Sequence, residues 1–247
     1  MLFSCEHFTV FLPFIQTCKN TSDQCYAVIR EFNICLLCDM PSTEVICSVC
    51  QQDMLWRSDE QVQSEILEQL WVHPRLSHLK CDTLICLDKY RYPLTYLIPL
   101  IKFHDRADLS TWLAERWYEQ RFALIHTLPD ALISVPLHPK RLRHRGFNQA
   151  ALIADRLSTL SSIPHLVHAA KRIKATKRQS ELQQAHREAN LSNAFTVDHH
   201  ALIGLKHIAL VDDVITTGAT MNALCQAIHK VAPHLYIAVW CLGLAEL

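Results

Sequence analysis

His207-Ile-Ala-Leu-Val-Asp-Asp-Val-Ile-Thr-Thr-Gly-Ala-Thr220 is the stretch on which the reading of this chain turns. Ile208–Val211 is an apolar run of strand character that ends in two adjacent carboxylates, Asp212 and Asp213. Val214 and Ile215 lead into a turn of hydroxyls and glycine, and a helix is expected from Ala219 to Val231. A turn of this kind cradles anions, because backbone N–H groups from Thr216 to Thr220 converge at the positive end of the following helix. Gly218 permits the tight turn and a close phosphate approach, and Thr216, Thr217 and Thr220 add hydroxyl donors. Asp212 and Asp213 then stand a sugar's length away, placed for ribose hydroxyls or a magnesium ion. A plain helix cap by Thr216 or Thr217 accounts for the hydroxyls and the glycine but leaves the paired acids unexplained. The loop is not a Walker A sequence, since no Gly-x4-Gly-Lys-Ser/Thr occurs.

Outward from this loop, the chain alternates. Strands are expected at Thr83–Asp88, Ala131–Val135, His165–Ala169 and Leu235–Leu242. Helices are expected from Pro93 to Lys102 and over Leu109–Gln120 and Asn148–Leu160, with an earlier amphipathic one over Leu55–Leu70. Strands alternating with helices predict an α/β fold, a parallel sheet with helices on both faces. Ligands of such sheets sit at the carboxyl ends of the strands, where the phosphate turn falls. The boundary between an N-terminal segment, 1–75, and this domain, 76–247, is placed after the amphipathic helix.

The charges are unevenly spread. The chain is neutral overall, yet Met1–Leu137 carries 11 Lys+Arg against 17 Asp+Glu, while His138–Glu188 carries 11 against 3. The net of +8 in that middle segment reads as an anion-binding surface, with a solvated helix face as the bland alternative. Its first part, Val135–Gln149, starts at a strand end and presents Lys140, Arg141, Arg143 and Arg145, the clustered cations a pyrophosphate needs. Its second part holds Lys171, Arg172, Lys174, Lys177 and Arg178. With Phe147 among the cations the segment suits a single-stranded nucleic acid, although aromatic side chains for base stacking are few.

Cys35-Leu-Leu-Cys38-x8-Cys47-Ser-Val-Cys50 predicts a zinc knuckle. Each pair sets two thiolates on one turn, and four close a tetrahedral shell, so the zinc would be structural and not catalytic. The count of 11 cysteines and the absence of a secretory signal suggest a reducing, cytoplasmic compartment. Phe8–Ile15 is too short and too interrupted, at Pro13, to span a bilayer. Cys81, Cys86, Cys225 and Cys241 lie in apolar contexts and are expected in the core.

The phosphate turn resembles the phosphoribosyl pyrophosphate (PRPP) loop of type I phosphoribosyltransferases, which runs four apolar residues, two acids, two apolar residues, then Thr-Thr-Gly-x-Thr. Three further segments are similar to the ComF family. They are Tyr90-Arg-Tyr-Pro-Leu with Lys102-Phe-His, Arg145-Gly-Phe-Asn-Gln149, and Arg172-x3-Thr176-x2-Gln179-x2-Leu182-x4-Arg187-x2-Asn190-Leu-x-Asn-Ala-Phe195. The resemblance covers about residues 35–242, and ComF proteins usually carry a four-cysteine finger. It implies a type I phosphoribosyltransferase-like fold in which residues 214–220 bind the PRPP phosphate. Lys140, Arg141 and Arg145 would then take its pyrophosphate with magnesium, and Asp212 and Asp213 would be the catalytic acids. Arg172, Lys174, Lys177, Arg178, Gln179 and Arg187 would belong to a mobile lid or a DNA-contacting face. Tyr90 and Tyr92 read as packing residues at a helix entry, and Lys102 has no evident partner.

Three functions follow from the resemblance. The first in rank is a competence factor that handles incoming single-stranded DNA during natural transformation, with a PRPP site. An active phosphoribosyltransferase of unknown acceptor is the alternative, though no segment clearly forms a hood to read a nucleobase. A structural protein whose knuckle docks a helicase or primase ranks last.

Overall fold

The computed structural model describes residues 33–54, 79–174 and 193–245. The chain divides into two compact units between Gln51 and Gln52. The boundary expected at 75/76, the amphipathic helix over Leu55–Leu70 and the lid residues Lys177, Arg178, Gln179 and Arg187 lie outside the described residues.

In the first unit, β1 (Asn33–Ile34) pairs antiparallel with β2 (Pro41–Ser42), and helix α1 (Ser48–Asp53) follows. The second unit is built on four parallel strands: β3 (Thr83–Lys89), β4 (Ala131–Ser134), β7 (His207–Ile215) and β8 (Tyr236–Leu244), in the order β3-β8-β7-β4. Helices α2 (Leu94–Phe103), α3 (Asp108–Arg121), α4 (Pro139–Arg145), α5 (Gln149–Ser161) and α6 (Ala219–Val231) connect them. Two short strands, β5 (Ala170–Arg172) and β6 (Phe195–Val197), form an antiparallel pair beside α6.

Alternate residues of the strands supply two apolar faces. Cys86, Ile133, Leu210 and Val239 pack with Met221, Leu224, Cys225 and Ile228 of α6 on one side. On the other lie α3 and α5, where the Trp117 and Trp240 rings stand 4.7 Å apart. Helices therefore cover both faces, and this is the expected α/β, phosphoribosyltransferase-like architecture. Cys86, Cys225 and Cys241 are buried as expected, and Cys81 is half-buried. No described helix is long and apolar enough to cross a membrane.

Three expectations are corrected. First, β7 does not stop at Val211. It runs on to Ile215, pairing Asp212 with Cys241 and Val214 with Gly243 of β8, so the acids lie within a strand. Second, the strand expected at His165–Ala169 is reduced to a single bridge between Leu132 and His165. The His165 ring is clamped there, Nδ1 at 2.6 Å from Asp155 Oδ1 and Nε2 at 3.0 Å from Ser134 Oγ, and extended pairing resumes only at Ala170. Third, the basic segment after β4, outside the helices expected above, is itself a helix. Pro139 opens it, the His138 ring accepts from Lys140 N at 3.2 Å, and Gly146 closes it in the left-handed conformation at φ +83°.

Candidate functional site

Strand β7 and the start of α6 frame a cavity of about 170 Å³ at the carboxyl end of the sheet. Thr216, Gly218, Ala219 and Thr220 line one side, and Gly218, at φ +69°, is the turn from which α6 begins. Only glycine adopts this left-handed conformation without strain, so the turn aims the backbone N–H groups of the α6 terminus at the cavity at no conformational cost. Asp212, Val214 and Ile215 line the floor, while Tyr90 and Lys102 close the far side.

The two acids have different surroundings. Asp213 is buried, 3% exposed, inside the strand and not at its end. Its Oδ2 receives the Lys102 ammonium at 2.6 Å and its Oδ1 accepts from Val214 N at 2.8 Å. Asp212 faces the cavity, and its Oδ1 accepts from Asp213 N at 2.9 Å. Burial, then the neighbouring Asp213 charge, pushes the Asp212 carboxyl well above the usual range, and Lys102 opposes that rise. One acid is thus locked in an ion pair and the other is presented to whatever enters.

Two of the basic residues, Arg145 and Arg172, lie within reach of the charges of this pair. Arg145 donates to Gln149 and holds its guanidinium over the Phe103 ring, and burial lowers its pKa against the favourable Asp213 charge. Arg172 is buried in β5, its guanidinium 5.5 Å from the Phe195 ring centre. Burial and then Arg141 lower the Arg172 pKa, while Asp212 opposes that effect. Arg172 therefore belongs to a strand beside the site and not to an exposed lid. Lys140 and Lys174 are exposed, and Arg141 is half-buried.

Of the residues the sequence singled out, Asp212, Val214, Ile215, Thr216, Gly218, Ala219 and Thr220 share the cavity wall; Asp213 and Thr217 stand behind it. Sequence reading named Lys102 without a partner, which the structure supplies in Asp213, and read Tyr90 as a packing residue. The aromatic ring of Tyr90 fits because Gly243 has no side chain: a Cβ there would meet Tyr90 Cδ2 at 3.2 Å. The scarcity of glycine, 4 in the chain, was the available signal for such a close approach.

In the first unit the four sulfurs of Cys35, Cys38, Cys47 and Cys50 lie within 4.8 Å of one another. Tetrahedral zinc with bonds of about 2.3 Å sets its sulfurs about 3.8 Å apart, and Cys38 and Cys47 are at 3.7 Å. Cys47 N donates to Cys35 Sγ at 3.3 Å and Cys50 N to Cys47 Sγ at 3.4 Å. Burial pushes the Cys35 thiol up, but backbone N–H groups led by that of Cys47 outweigh it and bring it down to about 6. The donor set fits a closed structural metal site.

No family model matches the chain. Competence protein F of Haemophilus influenzae is 36% identical over 170 residues, 67% of this chain and 73% of that protein. The DNA utilization protein YhgH of Escherichia coli K12 is 31% identical over 227 residues, 85% of this chain and 96% of its own length. Competence protein ComFC of Bacillus subtilis is 25% identical over 191 residues, 77% of this chain and 69% of that protein. Identity at this level over these spans, on a parallel sheet preceded by a four-cysteine cluster, places the chain in the ComF family.

Proposed function

We propose that this protein is a cytoplasmic DNA-uptake factor that handles incoming single-stranded DNA and binds PRPP, or a related phosphorylated ribose, in the cavity at the end of β7. The names of the relatives, competence protein and DNA utilization protein, support the first half. One observation carries the second: Asp212, Lys102 and the hydroxyl-rich turn all face one cavity. The 5-phosphate would rest on the N–H groups of Thr216–Thr220, and the ribose hydroxyls would bond Asp212. Lys140, Arg141 and Arg145 would take the pyrophosphate. Magnesium fits the carboxylate oxygens of Asp212 and, when bound, would neutralise pyrophosphate charge. Asp213 acts from behind by holding Lys102 at the cavity edge. Zinc would be held by Cys35, Cys38, Cys47 and Cys50 and would fix the knuckle.

Calorimetry with PRPP and magnesium tests the site. Asp212→Asn should weaken binding by about tenfold or more, because a charge-assisted hydrogen bond is worth roughly 1.5–3 kcal/mol. Wild-type protein that takes up no PRPP would sink this half of the reading. Pyrophosphate release in the presence of PRPP would instead favour the transferase alternative.

A further inference from the structure

Helix α2, Leu-Thr-Tyr-Leu-Ile-Pro-Leu-Ile-Lys-Phe, is apolar nearly all round. A helix of that kind belongs in a core, yet among the described residues α2 is covered on one side alone. Leu94, Leu97, Ile98 and Ile101 are buried, while Tyr96 is 43% and Phe103 67% exposed. Tyr96 and Phe103 are seven residues apart, two helical turns, and so lie in line on one face, about 10 Å from end to end. Tyr92, just before the helix, is exposed as well.

The end of this strip meets the basic helix α4. The Arg145 guanidinium lies 6.0 Å from the Phe103 ring centre, and Arg145 also feels the Asp213 charge. Phe103 follows Lys102, whose ammonium reaches Asp213. The strip therefore borders the phosphate cavity, which Lys102 lines beside Phe103 and Tyr90 lines ahead of the helix. Residues 131–154 hold Lys140, Arg141, Arg143 and Arg145 and not one Asp or Glu. Beside Phe103, the Arg145 guanidinium gives the strip a fixed cation, the charge complement of a phosphate backbone. Exposed rings beside cations match single-stranded nucleic acid, where bases stack on aromatics and phosphates pair with Arg and Lys.

We propose that Tyr96 and Phe103 form a base-stacking platform for single-stranded nucleic acid, whose backbone runs along α4. This rests on the DNA-handling half of the function above and assigns it a path on the molecule. It also adds aromatics to a basic segment that holds only Phe147 of its own.

Fluorescence anisotropy of the full-length protein with a labelled oligothymidylate, over a salt series, tests the platform. Phe103→Ala and Tyr96→Ala should each weaken binding by about tenfold, the usual loss for one stacked base, and leave the salt slope unchanged because no charge is removed. Phe103→Trp should restore affinity. An oligomer of abasic sugar-phosphate should bind the wild type weakly and be indifferent to both alanine changes. Thermal melts of the variants should match the wild type, since both side chains are exposed. Unchanged oligothymidylate affinity in Phe103→Ala and Tyr96→Ala would overturn the platform while leaving DNA handling standing. Wild-type protein that binds no oligothymidylate would remove both. Self-association that Phe103→Ala abolishes, with DNA affinity intact, would give the strip to a second copy of this chain and overturn the proposal.

Discussion

Among its described residues the first unit buries two apolar side chains, Cys35 and Ile46, whereas the second packs Trp117, Trp240 and a double layer of Leu and Ile around its sheet. The knuckle is too small to hold itself by burial, and its fixed elements are thiols and the N–H groups aimed at them. The sheet unit needs no such aid, and places its charges instead where a ligand will meet them. The contrast separates two kinds of fragility: one would rest on a metal held by the four thiols, the other rests on volume.

Removing the metal is the most drastic way to test this. Chelation, or Cys47→Ser, should take away on the order of 10 kcal/mol from the knuckle and collapse the nuclear magnetic resonance signals of residues 33–51. The melting temperature of the sheet unit should stay put. A knuckle with an unchanged spectrum after complete zinc removal would break the comparison. Trp240→Ala addresses the other unit. Trp240 is 1% exposed against Trp117, and its truncation should cost about 3–5 kcal/mol, lowering that unit's melting temperature by roughly 10 °C with zinc content unaffected.

A smaller effect tests the site within the sheet unit. Asp213→Asn leaves Lys102 facing a neutral amide and should cost about 2 kcal/mol in denaturant unfolding. Adding Lys102→Met should cost less than the sum of the two single changes, since they share one interaction. Strict additivity would mean that the pair is a bystander. Smallest is Asp130, which accepts from Lys206 N at 2.7 Å and His207 N at 2.9 Å and so anchors the entry to β7. Those N–H groups hold its carboxyl below the ordinary carboxylate range. Its contribution is therefore full above about pH 4 and fades as pH falls through the lower folded value. Asp130→Ala should cost about 1 kcal/mol at neutral pH, given its exposure, and nothing at strongly acid pH. A loss that persists in acid would assign the effect to packing.

How far the chain could be read in advance differed by element. Helix α6 was legible to the residue because Gly218 opens it and the apolar spacing runs unbroken to Val231. The end of β7 was not, since two adjacent acids look like a strand terminus. They remain in the ladder because Lys102 and local N–H groups satisfy them, and Lys102 is distant in sequence. The same blindness to distant partners hid Tyr90 against Gly243. The segment at His165 was misplaced because its apolar run is strand-like, while Asp155 and Ser134 hold the imidazole at a single bridge. The cysteine spacing, by contrast, carried its geometry openly, and all four sulfurs lie together.

The strand order also bears on how the molecule is made. β8 lies between β3 and β7, and it pairs Thr83 with Ala238, roughly 155 residues apart. On a ribosome, β3 and the helices after it emerge early, and β3 waits without its described strand partner until residues 236–244 have left the exit tunnel. The phosphate turn is likewise translated before the strand that flanks it. Nascent chains of this protein should therefore remain protease-sensitive late into synthesis, and should draw on chaperones that shield unpaired strand edges.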